Sequence, residues 1–406
     1  MRICSASIAG QLWPRAIVRT IPAELPMDLS PGPPISNDND GIDAGHAGVD
    51  PVVVASYTAL VKRLEFIDAL RGYAVLGVIL VHTVGESAAF GARGVQLFFA
   101  VSAFTLMHSW RRRDDGASAF FLRRLFRIVP MFWLSIPATL ALMGWQGMGL
   151  GQVLTSAAFL QAATPQGIMS PIVAGGWSID VEMAFYCLFP LLAKSIRSLW
   201  GSLAFLGIAF TISDQWHHRG FRLVAELYSS LPLSDVATFV GLSLPAQLPA
   251  FAAGFVAFHA ISMMERAPRL VLEIMLVVAI FAIGYFAEND VHNVFAFSLC
   301  FGAAIATMGA GAGRCLVNRL VILIGRCSFS IYLLHFAMIG FAYRAASLFE
   351  DPTLRVAALF ILTTALTTAI SILTFKFIER PMISLGNRIV KDLSGYRQMN
   401  PAEAGS

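Results

Sequence analysis

The sequence is poor in charge: 29 Lys and Arg and 25 Asp and Glu make up only 13% of its 406 residues, against about 25% in an average soluble domain. That shortage excludes an ordinary water-soluble globule. With 57% hydrophobic residues and a mean hydropathy of +0.69, the chain has too little polar surface to cover its apolar bulk. Cysteine is scarce as well. Of five cysteines, Cys187, Cys300 and Cys327 fall in or beside apolar stretches, without the paired spacing of a disulfide framework or a zinc site. His217 and His218 are adjacent and lack carboxylate spacing, so no metal is implied. The formal charge of +4 resides in short loops between apolar runs. It reads as a topology signal, and nucleic acid is not an implied partner.

Long hydrophobic runs are what the chain does have. Apolar segments of spanning length occur at about 66–85, 94–110, 129–147, 177–194, 198–213, 245–264, 270–287, 293–312, 320–342 and 355–377. They predict an all-α, polytopic integral membrane protein with about ten transmembrane helices. Arginines concentrate at alternate turns, at Arg111–Arg113 with Arg123, Arg124 and Arg127, then at Arg197, at Arg266 and Arg269, at Arg314, Arg319 and Arg326, and finally at Arg380 and Arg388. Because cytoplasmic loops retain Lys and Arg, this alternation predicts that both termini are cytoplasmic. The uncharged stretch 148–176 reads as a re-entrant or outer-surface element, since a full span there would invert every later loop. Residues 1–62, rich in Pro, Gly and Asp towards their end, read as a disordered tail. Residues 63–390 form the membrane domain and 391–406 a short cytoplasmic tail.

An arginine and a histidine interrupt the first span, FIDALRGYAVLGVILVHTVG. A side chain such as Arg71 or His82 at membrane depth is costly, so it faces the protein interior and marks function. Eleven residues separate the two. At roughly 100° and 1.5 Å per residue, His82 lies within about 20° of the face carrying Arg71 and roughly 16 Å further along the axis. One helix face thus carries a permanent cation towards the cytoplasm and a proton-transfer group towards the outside.

With Arg71 and His82 in place, further motifs fall in order. GVQLFFAVSAFTL follows, then FLRRLFRIVP with Arg124 and Arg127, GGWSIDVEMAFYCLFPLL with Glu182, GRCSFSIYLLHF, and IERP. This ordered set, over about 64–390, resembles the acyltransferase-3 family of integral membrane O-acyltransferases, whose members acylate bacterial surface glycans, antibiotics and related acceptors. The chain is similar to the stand-alone form, without a fused soluble hydrolase-like domain. It departs from the family pattern at Ala103, where Gly is usual, at Met183 after Glu182, and at Ala337 after His335-Phe336.

The resemblance implies a bacterial inner-membrane enzyme that moves an acyl group from cytoplasmic acyl-CoA, in the simplest case acetyl-CoA, to a hydroxyl of an extracytoplasmic glycan such as exopolysaccharide or lipopolysaccharide. A secreted small molecule such as a macrolide is the alternative acceptor. A neutral imidazole suits His82 to take the acceptor proton. Arg124 and Arg127, three apart on one helix face, could serve topology alone; the resemblance assigns them, with Arg71, to acyl-CoA phosphates. Glu182 carries the family match and is expected to orient His82 or bind acceptor. Asp180, about 200° away around the helix, cannot point into the same site. Tyr332 and His335 share a face near the cytoplasmic end of their span, which suggests a lining on the cofactor side. Ser102 reads as a small polar residue at a helix contact, with no base evident beside it. The rival reading is a transporter or non-catalytic membrane protein, because buried His, Arg and Glu also mark ion and substrate pathways. Against it, the chain shows no pair of matching halves.

Overall fold

The computed structural model describes residues 51–113, 116–144, 149–289 and 294–399, and among them there is no β-strand. The long helices are α1 Pro51–Val84, α2 Gly94–Arg112, α3 Gly116–Met143, α4 Gly176–Ser195, α5 Leu199–Gln215, α6 Leu244–Met264, α7 Arg269–Glu288, α8 Val294–Gly309, α9 Arg319–Arg326, α10 Ser328–Ala346, α11 Pro352–Thr374 and α12 Arg380–Met399. Of the expected tail, residues 1–50 lie outside the described residues and 51–62 run into α1.

Within the described residues, nine of the ten apolar stretches coincide mainly with one helix each, and eight spans are long and apolar enough to cross a membrane. The other two are shorter: α5 has 17 residues and α8 has 16. The protein is therefore an all-helical membrane protein. The stretch after α3 holds only short helices, Leu150–Ala157, Gln161–Ala163 and Pro165–Met169, none long enough to span.

The expected span at 320–342 is broken at Cys327 into α9 and α10. In α9, Val321, Ile322, Ile324 and Gly325 are buried while Arg319, Leu320 and Arg326 are exposed. This one-sided helix lies along α1. Arg326 Nε pairs with Asp68 Oδ2 at 3.2 Å, fastening it there. The apolar content of 320–326 resembled the start of a span, but its charged edge holds it as a separate helix.

α6 packs against α2, α5 and α8. The span that includes it, Leu233–Met264, has 72% of its apolar window inside the protein, whereas α7 has 17% and so presents most of its surface to lipid. An aromatic column joins α2, α6 and α4: Phe99 stacks on Phe251 at 4.6 Å between centroids, and Phe251 on Phe185 at 3.9 Å. Gly254 of α6 lies against Ala103 of α2, where an added Cβ would stand 2.8 Å from that of Ala103. The small residue needed for close approach is thus supplied from α6, and alanine is accommodated at 103.

Candidate active site

α1 contributes Arg71 and His82, α2 Phe98, Phe99 and Ser102, α3 Arg124 and Arg127, α4 Ser178, Glu182 and Tyr186, and α10 Tyr332 and His335. Most of these groups line one internal cavity of about 70 Å³, where Arg71, Arg124 and Arg127 converge on Glu182. A space of that size admits a few water-sized groups.

Glu182 organises the floor of the cavity. Its Oε1 accepts from Ser102 Oγ at 2.5 Å and from Tyr186 OH at 2.6 Å. The Glu182–Tyr186 pair follows from the four-residue step on a helix face. Ser102, by contrast, was expected to have no base beside it, and the structure supplies a carboxylate through tertiary packing. The Arg124 guanidinium stands 5.8 Å from the Phe120 centroid and 6.0 Å from that of Tyr186, close enough for cation–π attraction. Its buried Nε has no protein partner. Arg71 makes a long contact, 3.4 Å, to Thr105 Oγ1. Asp180 points elsewhere, accepting from the Ala162 backbone N–H at 2.8 Å, as the angular separation from Glu182 requires.

His82 and His335 form a second cluster. Their ring centroids are 5.4 Å apart, and Phe336 lies 4.4 Å from His82 and 4.2 Å from His335. His335 is fully buried, and its Nδ1 lies 2.6 Å from the Tyr332 carbonyl oxygen. A carbonyl only accepts, so Nδ1 carries the hydrogen. The buried Nε2 has no protein partner. His335, expected with Tyr332 to line the cofactor side because of its depth in the span, packs between Tyr332 and His82. The expected orientation of His82 by Glu182 is replaced in the same way, since Glu182 is held by Ser102 and Tyr186 and lies with the arginines.

Tyr332 joins the two clusters. Its ring lines the arginine cavity and lies 5.8 Å from that of His335. Its hydroxyl donates to the Gly175 carbonyl at 3.0 Å and accepts from Ser178 Oγ at 2.8 Å. Gly175 adopts φ 79°, and a Cβ there would lie 2.9 Å from the Tyr332 hydroxyl, so both the turn and the contact call for glycine. Glu379, known from the sequence only through IERP, is buried and accepts from Ser330, which in turn accepts from Thr374 at 2.8 Å. Among the described residues, no group of three or more His, Cys, Asp or Glu side chains could hold a metal ion.

The sequence that builds this cavity matches a known family model, an acyltransferase domain of the acyltransferase-3 type, over residues 64–374. The chain belongs to the acyltransferase-3 family. It is accordingly an O-acyltransferase, and the transporter reading is set aside. Acyltransferase MdmB of Streptomyces mycarofaciens is 25% identical over 322 residues, 70% of this chain and 81% of its own. Exopolysaccharide production protein ExoZ of Rhizobium meliloti (strain 1021) is 33% identical over 111 residues, 26% of this chain and 35% of its own. A Staphylococcus aureus (strain MRSA252) protein, SAR0937, whose name carries O-acetyltransferase as an expectation, is 23% identical over 374 residues, 82% of this chain and 60% of its own. No solved structure matches this acyltransferase-3 protein.

Proposed function

We propose that this acyltransferase takes an acyl group, acetyl in the simplest case, from acyl-CoA on the cytoplasmic side of a bacterial inner membrane. It delivers that group to a hydroxyl of a glycan on the outer side. The observation that carries the reading is the charge imbalance of the cavity, where three guanidiniums and one carboxylate share the lining. Surplus cations in a partly desolvated space favour an anionic ligand, and arginine is matched to phosphate oxygens by its planar fork of donors. The arginine alternation along the sequence supports a cytoplasmic entry for that ligand. The name of the exopolysaccharide production relative supports a glycan acceptor.

The histidine pair supplies the proton chemistry. The acceptor O–H gives its proton to His82, its oxygen forms a C–O bond to the thioester carbonyl, and the C–S bond breaks. The departing CoA thiolate then takes up the proton. His335, with Nδ1 committed to the Tyr332 carbonyl, packs its ring against that of His82 and holds it in place. The test uses oriented vesicles with acyl-CoA on the cytoplasmic face and a polysaccharide acceptor confined outside. Labelled acyl groups appear on the acceptor, and His82→Ala loses about 10²–10⁴-fold in rate. Product formed only when both substrates share the cytoplasmic compartment would overturn the transmembrane route. His82→Ala activity within about threefold of wild type would overturn the role of the histidine.

A further inference from the structure

We infer that a cleft between α5 and α8, on the lipid-facing side of α6, seats one acyl chain of an anionic phospholipid, with the phosphate at the arginine-bearing end of α6. Both α5 and α8 pack on α6, and close contacts fix their registers. Ser213 Oγ donates to the Ala246 carbonyl at 3.1 Å and Ser202 Oγ lies 2.8 Å from His259 Nδ1, so α5 runs antiparallel to α6. Gly302 lies against Ala253 and Gly309 against Ile261, so α8 runs parallel to it. Between the two flanking helices, Ala253, Ala257 and Ala260 of α6 face Gly302 and Ala306 of α8 across a cleft of about 180 Å³. Its one polar lining residue, Ser298, donates to the Val294 carbonyl at 2.6 Å, so the walls offered to a ligand are apolar.

Length, closure and charge select the occupant. The floor runs along α6 from Ala253 to Met264, roughly 16 Å at 1.5 Å per residue, or about one leaflet of a hydrocarbon core ~30 Å thick. Beyond Ala253 the rings of Phe210 and Phe295, with centroids 4.4 Å apart, join α5 to α8 and close that end. The opposite end lies at headgroup level: Trp200, in the first turn of α5, is 79% exposed, the setting of an interfacial tryptophan. The antiparallel register brings Arg197, just before α5, level with the end of α6 and Arg266. Exposed Lys194, Arg197 and Arg266 outnumber Glu265 there, which suits a lipid phosphate. A helix of a second copy, about 10 Å across, would meet exposed Leu203 and Leu299 before reaching the alanine floor. A single methylene chain passes between them.

The test adds phosphatidylglycerol, or phosphatidylcholine with the same chains, to the full-length protein purified in detergent, and native mass spectrometry counts the lipid retained. Wild type holds one phosphatidylglycerol per chain, about tenfold more tightly than phosphatidylcholine. Ala303 lines the cleft from a half-buried position at its mouth. Ala303→Phe fills the cleft and weakens retention of both lipids by about tenfold or more, and Ala303→Leu weakens it less. Arg197→Gln combined with Arg266→Gln removes the preference for phosphatidylglycerol and leaves the chain seat intact, so the answer does not depend on one variant folding. Retention unchanged within about twofold in both Ala303 variants would overturn the seat. Equal binding of the two lipids by wild type would overturn the anionic headgroup. Disulfide-linked dimers of Ala303→Cys formed in place of lipid retention would give the cleft to a second copy and overturn the proposal.

Discussion

Glu182→Gln separates the charge of the cavity from its hydrogen bonds. A glutamine carbonyl can still accept from Ser102 and Tyr186, so the bonds at 2.5 and 2.6 Å survive in neutral form. Bonds to a charged group contribute about 1.5–3 kcal/mol against about 0.5–1.5 for neutral pairs, so the two together lose about 2 kcal/mol. Removing the carboxylate also leaves Arg71, Arg124 and Arg127 facing one another without a counter-charge. For fully buried ions that costs roughly 3–5 kcal/mol, but these arginines are half-buried, and solvent screening reduces the cost to about 1 kcal/mol. The total, about 3 kcal/mol, lowers the melting midpoint of the purified protein by roughly 5 °C or more. The effect on ligand binding has the opposite sign. The carboxylate repels CoA phosphates, so its removal strengthens CoA binding by up to about tenfold, and CoA stabilises the variant more than the wild type. Thermal unfolding in detergent across a CoA titration measures both effects. An unchanged midpoint, or CoA binding lost in Glu182→Gln, would refute the charge argument.

Replacing Arg124 and Arg127 together by Gln weakens CoA binding by about tenfold or more, measured by calorimetry, while reporter fusions record an unchanged membrane orientation because Arg111–Arg113 remain. Normal CoA binding in that double variant would mean the two arginines serve topology alone. Gly175→Ala forces a side chain into φ 79° against the Tyr332 hydroxyl. It costs about 1–3 kcal/mol of stability and lowers turnover by displacing the Tyr332 ring; an activity and melting midpoint equal to wild type would show that Tyr332 is not held from that turn.

The helical membrane architecture was legible because composition and span length are properties of the chain itself: charge is scarce and the apolar runs have bilayer length. Local periodicity also told correctly that Asp180 and Glu182 diverge, since two residues on one helix have a fixed angle between them. What periodicity does not carry is the partner helix. Ser102 gains its carboxylate from α4, eighty residues away, and His335 meets His82 from the far end of the chain. Depth judged from the cytoplasmic end of a span put His335 beside the arginines; the break at Cys327, which makes α9 a separate one-sided helix, removed the reference point for that judgement. The roles of Arg71, Arg124 and Arg127 were open on spacing alone, and what the fold adds is their place on the lining of one cavity.

The histidine pair has a consequence for biogenesis. His82 lies on α1 and His335 on α10, so a ribosome releases the first long before the second exists. The arginines and Glu182 have all been synthesised by the end of α4, when the cavity still lacks its Tyr332 wall and His82 has no imidazole neighbour. A chain arrested after α8 would carry the surplus cations but only one of the two histidines. Assembly of the pair is thus a late event in insertion, completed when α10 docks on α1, and partial chains in the membrane hold His82 without the ring that faces it in the finished protein.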